Sequence, residues 1–192
     1  MPANTITIAG KRISKKIFFI VLDGAAALLL TAALLLLAPQ PRASNTLTAS
    51  NLYVSMIDTA DITKTAGRNI KDSKLRAINS SLGALLTGST KQFEEPLAKT
   101  GVDYKKLSAE AKKPPLKDEK IRAKLEDARL LGTYDRAYTS EMQLRVNTMI
   151  ITMESIKRQT KSSSMRSYVE ASLPEYKQTK QAIEDLQSAT DR

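Results

Sequence analysis

Apolar positions along this chain form one long run near its start, interrupted by a single charge, and four periodic stripes after it. From Ile17 to Ala38 the only charge is Asp23, and Pro39 and Pro41 then stop any helix. Beyond residue 44 the apolar residues recur at steps of three and four, the period of an amphipathic helix. The first stripe lies between about Leu47 and Ile70 and is thin: Leu52, Met56, Ala60, Thr63, Ala66 and Ile70. A second opens at Asp72, a good N-cap, and carries Leu75, Ile78, Leu82, Leu85, Ser89 and Phe93 before Gly101 closes it. Pro96 should kink or shorten its end.

Residues Val102 to Pro115 are rich in lysine and end in two prolines, which predicts a connection holding about one helical turn. A third, longer stripe runs from about Lys117 to Thr160, with Gly132 marking a break. Ile121, Leu125 and Leu131 lie before that break. Tyr134, Tyr138, Met142, Val146, Met149, Met153 and Ile156 share one face after it. The polar run from Lys161 to Ser164 reads as a turn. A fourth stripe then carries Met165, Val169, Leu173, Tyr176, Thr179, Ile183 and Leu186, with Pro174 inside it. No period-two strand pattern stands out. Four amphipathic helices with a long link between the second and third predict an all-α fold, a four-helix bundle over residues 44–192.

The first 43 residues read differently. Lys11, Arg12, Lys15 and Lys16 precede the apolar run, and the small residues Ala43 and Ser44 follow it. That order makes a secretory signal peptide, or, since the run from 17 to 38 is long enough to span a bilayer once, a retained N-terminal membrane anchor. On either reading the basic flank stays inside and the rest of the chain leaves the cytoplasm, periplasmic or extracellular, tethered to the inner membrane if the run is kept.

Composition narrows the chemistry. The chain has 192 residues and a formal charge of +10, with neither His nor Cys. Zinc fingers, a histidine general base, a thiol nucleophile and a disulfide scaffold are therefore excluded. No phosphate-binding glycine loop or nucleophile elbow is present.

The stretch Leu130-Leu131-Gly132-Thr133-Tyr134-Asp135-Arg136-Ala137-Tyr138, followed by Ala171-Ser172-Leu173-Pro174-Glu175-Tyr176, resembles the domain-of-unknown-function 4142 family. Gly101-Val102 matches the family's close of its second helix, and the resemblance covers about residues 48 to 188. It implies an exported bacterial protein with a ferritin-like four-helix bundle. Many members carry three histidines, which align here with Ser89, Val146 and Thr179.

Without histidine, a metal site in the bundle would need carboxylates alone. Asp58, Asp61, Asp135, Glu154 and Glu170 are the acids from which one could be built, but solvated flank positions explain them more simply, so no metal, cofactor or catalytic residue is expected. Asp135 and Arg136 beside two tyrosines read as a helix-start acid, an ion pair and packed rings whose hydroxyls reach the rim. Lys157, Arg158, Lys161 and Arg166 form a basic patch, either complementing a helix C-terminus or meeting an anionic membrane surface or envelope component. Nucleic acid is not expected, because no stacking aromatics interleave with the lysines. Two function classes follow: a non-catalytic envelope bundle that binds a partner or anionic surface, or a degenerate ferritin-like protein that handles metal or oxidant.

Overall fold

Glycines and caps set where the helices start and stop, while Pro96 and Pro174 lie inside helices. The computed structural model describes residues 5–8, 11–14, 43–113 and 119–190, in two units that divide between residues 41 and 42. In the first unit, strands β1 (Thr5–Ile8) and β2 (Lys11–Ser14) pair antiparallel, Ile6 opposite Ile13. Thr-Ile-Thr-Ile alternates with period two, over only four residues, and β-branched side chains favour the extended backbone. The signal or anchor run 17–38 lies outside the described residues. Among those described, no helix is long and apolar enough to cross a membrane.

The second unit is all-helical. Its helices are α1 (Ala43–Ala66), α2 (Ser73–Ala98), α3 (Tyr104–Ala111), α4 (Glu119–Leu130), α5 (Tyr134–Gln159) and α6 (Ser163–Thr190). The α2 start is capped by Asp72, whose carboxylate accepts from the Leu75 amide at 2.7 Å. At the end of α4, Gly132 adopts φ +74°, Thr133 N–H donates to the Ala128 carbonyl at 2.8 Å and Gly132 N–H to Arg129 at 3.2 Å. This is a Schellman ending, and it needs a residue without a Cβ at the left-handed position. The connection from 102 to 115 holds two helical turns rather than one, because Asp103 caps α3 by accepting from the Lys106 amide.

The long helices close into a ring: α1 packs on α2 and α5, and α6 packs on α2 and α5. Cross-helix contacts give the directions. Thr63 meets Asn79 while Tyr53 meets Phe93, so α1 and α2 run antiparallel. Glu154 pairs with Lys177 and Lys157 with Glu170, so α5 and α6 do too. Asn69 and Lys71 sit beside the start of α5, whereas Thr59 meets Arg145, so α5 runs antiparallel to α1 and in the direction of α2. The segment between α2 and α5 therefore travels back along the ring, with α3 lying on α1 and α2 and α4 on α5.

All seven third-stripe residues from Tyr134 to Ile156 are buried. On α1 the face is wider than its thin stripe suggested, since Ala49, Tyr53, Thr59 and Ile62 are buried as well. The extra width follows from packing on three sides, against α2, α5 and α3. Thr179, expected on the core face, is only half-buried, and its hydroxyl bonds back to the Glu175 carbonyl at 2.9 Å.

Candidate functional site

The basic patch gathers around the three-residue turn from α5 to α6. Lys157, Arg158, Lys161 and Arg166 are all exposed. Arg166 is partly committed to structure, since its guanidinium donates to the Thr160 carbonyl, the C-cap of α5, at 3.0 Å. Lys157 pairs with Glu170 at 3.3 Å, both about half exposed, and such a surface pair is worth little. Both roles of the patch are thus physically compatible: it closes a helix end and presents cations to solvent.

Four of the five acids considered for a carboxylate metal site are engaged elsewhere. Asp61 pairs with Arg122 of α4, Glu154 with Lys177 at 2.8 Å and Glu170 with Lys157. Asp135 accepts from the backbone amides of Lys71 at 3.1 Å and Asp72 at 2.8 Å. Among the described residues no group of three or more Asp or Glu is placed to hold a metal ion. A hydrogen bond from Lys177 holds the Glu154 carboxyl below the ordinary range.

Instead the structure places tyrosines at the centre. Phe93 and Tyr168 stack at 4.5 Å, and Tyr53 lies 6.4 Å from Phe93 and 6.3 Å from Tyr104. Burial pushes the phenols of Tyr53 and Tyr168 up to about 12, the former aided by the Glu94 carboxylate at 3.4 Å. Burial also raises Tyr134, Tyr138 and Tyr176. Tyr168 donates to the Ser89 carbonyl at 3.2 Å, while the Tyr176 hydroxyl faces the Ser89 side chain without reaching hydrogen-bond geometry. Phenols held protonated in this way suit packing and donation rather than base chemistry.

The Tyr134–Tyr138 pair corrects one expectation. Its rings stack at 6.1 Å, but Tyr138 is 1% exposed, so its hydroxyl does not reach the rim. It donates to Oδ1 of Asn79, which in turn donates to the Thr63 carbonyl at 3.2 Å.

Sequence reading missed this asparagine and also the Glu141–Arg145 pair. Glu141 is 6% exposed, accepts from Arg145 at 3.2 Å and lies 3.6 Å from Lys124 of α4. Arg145 reaches across to the Thr59 hydroxyl at 3.0 Å. The available signal was their position: each polar residue lies next to a stripe residue, so helical wrapping carries it into a neighbouring interface.

The outer face of α1 and α2 holds a groove of about 1070 Å³, partly walled by α3 and by Arg122 of α4. Its lining includes the small residues Thr63, Gly83 and Thr87 and the charged side chains of Lys64, Lys91 and Glu94. Charges of both signs there select no single ligand class. Compared with protein-family models, with curated proteins and with solved structures, the chain matches none of them.

Proposed function

We propose that this chain is an exported envelope protein whose helical unit works by binding, with the α5–α6 turn meeting an anionic surface. The observation that carries the reading is the exposure of Lys157, Arg158, Lys161 and Arg166 together at one end of the unit. Export rests on the order of the basic flank, the apolar run 17–38 and the prolines after it. A ferritin-like four-helix bundle is supported by antiparallel neighbours around the ring and by a long crossover between the second and third long helices. The resemblance of residues 130–138 and 171–176 to the domain-of-unknown-function 4142 family points the same way.

Two measurements test this. An alkaline phosphatase fusion after residue 60 should be active, and activity of a cytoplasmic reporter instead would overturn export. Residues 44–192 should bind anionic vesicles weakly at low salt, with four cations contributing at most about 4 kcal/mol. Replacing all four by Gln should abolish binding while leaving the helical signal intact. Binding that survives the replacement, or that resists salt, would assign the contact to another surface.

A further inference from the structure

We infer that the surface extends beyond the α5–α6 turn: the whole end of the helical unit at which the chain enters it is a basic face that docks end-on to an anionic lipid surface. The inference rests on the binding reading above and enlarges its site.

The aromatic layer fixes which turns share that end. Tyr53, Phe93 and Tyr168 lie at one level, with ring centroids 6.4 Å and 4.5 Å apart along the row. From this layer α2 runs on to Lys99, six residues or about 9 Å further. Helix α6 begins five residues, about 8 Å, below Tyr168, and α1 begins ten residues, about 15 Å, below Tyr53. The α2–α3 corner, the α5–α6 turn and the start of α1 therefore occupy one end.

The α5–α6 turn is the strongly basic corner, four cations and no acid between residues 157 and 166, and the α2–α3 corner adds three lysines against two acids. Residues 95–107 and 157–166 together hold seven cations and two acids, because Lys99, Lys105 and Lys106 join the four already described. All three are exposed. Glu95 pairs with Lys99 at 2.6 Å, Asp103 is occupied in capping α3, and Glu170 beside this end pairs with Lys157. The opposite end is closer to balance: residues 64–76 and 126–136 with Lys180, Glu184 and Asp185 of α6 hold eight cations and six acids. Charge is thus polarised along the ring axis.

Position selects the partner. This end is where α1 starts, only four residues after the apolar run closes at Ala38. The five steps from Ala38 to Ala43 span at most about 18 Å, so a run held in a bilayer leaves this end within reach of that bilayer's head groups. The start of α1 projects only about 6 Å past the basic corners, less than the Debye length of about 8 Å at physiological salt.

Absence of native cysteine allows single-site labelling of the full chain in vesicles. A fluorophore at Ser163→Cys, beside the basic turn, should be quenched by a head-group spin label in phosphatidylglycerol-containing vesicles. One at Ser188→Cys, far along α6, should not. The difference should be lost in neutral phosphatidylcholine vesicles, or at about 1 M salt, where the Debye length is about 3 Å. It should also shrink when Lys99, Lys105 and Lys106 become Gln, with circular dichroism verifying the fold. Equal quenching at both labels, or no effect of the α2–α3 corner while lipid charge still matters, would overturn the end-on face alone. Quenching indifferent to lipid charge throughout would overturn the anionic-surface reading itself.

Discussion

Tyr138 on α5 donates its hydroxyl hydrogen to the amide oxygen of Asn79 on α2, inside the core, and the Asn79 amide passes a second bond to the Thr63 carbonyl of α1. One phenol thereby sets the register of three helices. Apolar packing tolerates small axial shifts, but a buried amide with both ends satisfied does not, because each lost partner leaves a desolvated polar group.

Replacing Tyr138 by Phe should therefore cost about 1–3 kcal/mol, since Asn79 keeps its burial and loses its donor. Tyr138→Ala should cost more, about 3–5 kcal/mol, as a cavity is added. In a double-mutant cycle with Asn79→Leu, chemical denaturation should give a coupling of about 0.5–3 kcal/mol. Additive losses would mean that the two side chains do not act as a pair.

Asp135 works on a helix other than its own. It sits in the first turn of α5, yet its carboxylate accepts the amides of Lys71 and Asp72 just before α2. Asp135→Ala should lower stability by about 1–2 kcal/mol, in the range of a lost helix cap. Amide exchange at Lys71 and Asp72 should speed up in that variant, whereas an unchanged exchange pattern would place its effect elsewhere.

Two glycines of α2 should answer differently to the same substitution. Nothing stands within 4 Å of a Cβ at the exposed Gly88, so Gly88→Ala should stabilise by about 1 kcal/mol through helix propensity. At Gly83 a Cβ would meet the Thr63 hydroxyl at 3.1 Å, and that hydroxyl is tied to the Ala60 carbonyl at 2.7 Å. Gly83→Ala should gain less than Gly88→Ala or lose stability, and melting temperatures in the reverse order would show that α1 yields easily there.

With no histidine, no unperturbed side chain titrates between pH 5 and 8, and stability should be nearly flat across that window. Alkali is different. Burial raises five tyrosines in the folded chain, Tyr53 and Tyr168 to about 12, while unfolded phenols ionise near 10. Above pH 10 the unfolded state therefore binds fewer protons than the folded one, and stability falls as pH rises toward the folded values. Tyrosinate absorbance should appear together with loss of helical signal. Ionisation of all these phenols near pH 10 with the helices intact would contradict their burial.

Much of this architecture is legible in the residues. Asp72, Gly101 and Gly132 mark helix boundaries because capping and left-handed turns are local chemistry, and the 134–156 stripe names its own buried face through period alone. Less legible were the short pieces. The two-turn α3 depends on a single aspartate cap, and the Thr5–Ile8 strand is too brief for its alternation to stand out.

Spacing and backbone preference alone gave the helical character of the described residues beyond 43, the breaks after Ala66, Leu130 and Gln159, and most of the inward positions, though Leu131 is exposed and Thr179 only half-buried. Which helix meets which came from packing between elements far apart in the chain. That choice widened the buried face of α1, took Asn79 and the Glu141–Arg145 pair out of solvent, and assigned Asp135 to a neighbouring helix. It also brought Lys99, Lys105 and Lys106 to the same end as the α5–α6 turn. A helical period tells how residues share one face, but a polar side chain's partner on another helix can lie far along the chain, 59 residues for Tyr138 and Asn79 and 86 for Arg145 and Thr59. Only packing brings such residues within hydrogen-bonding distance.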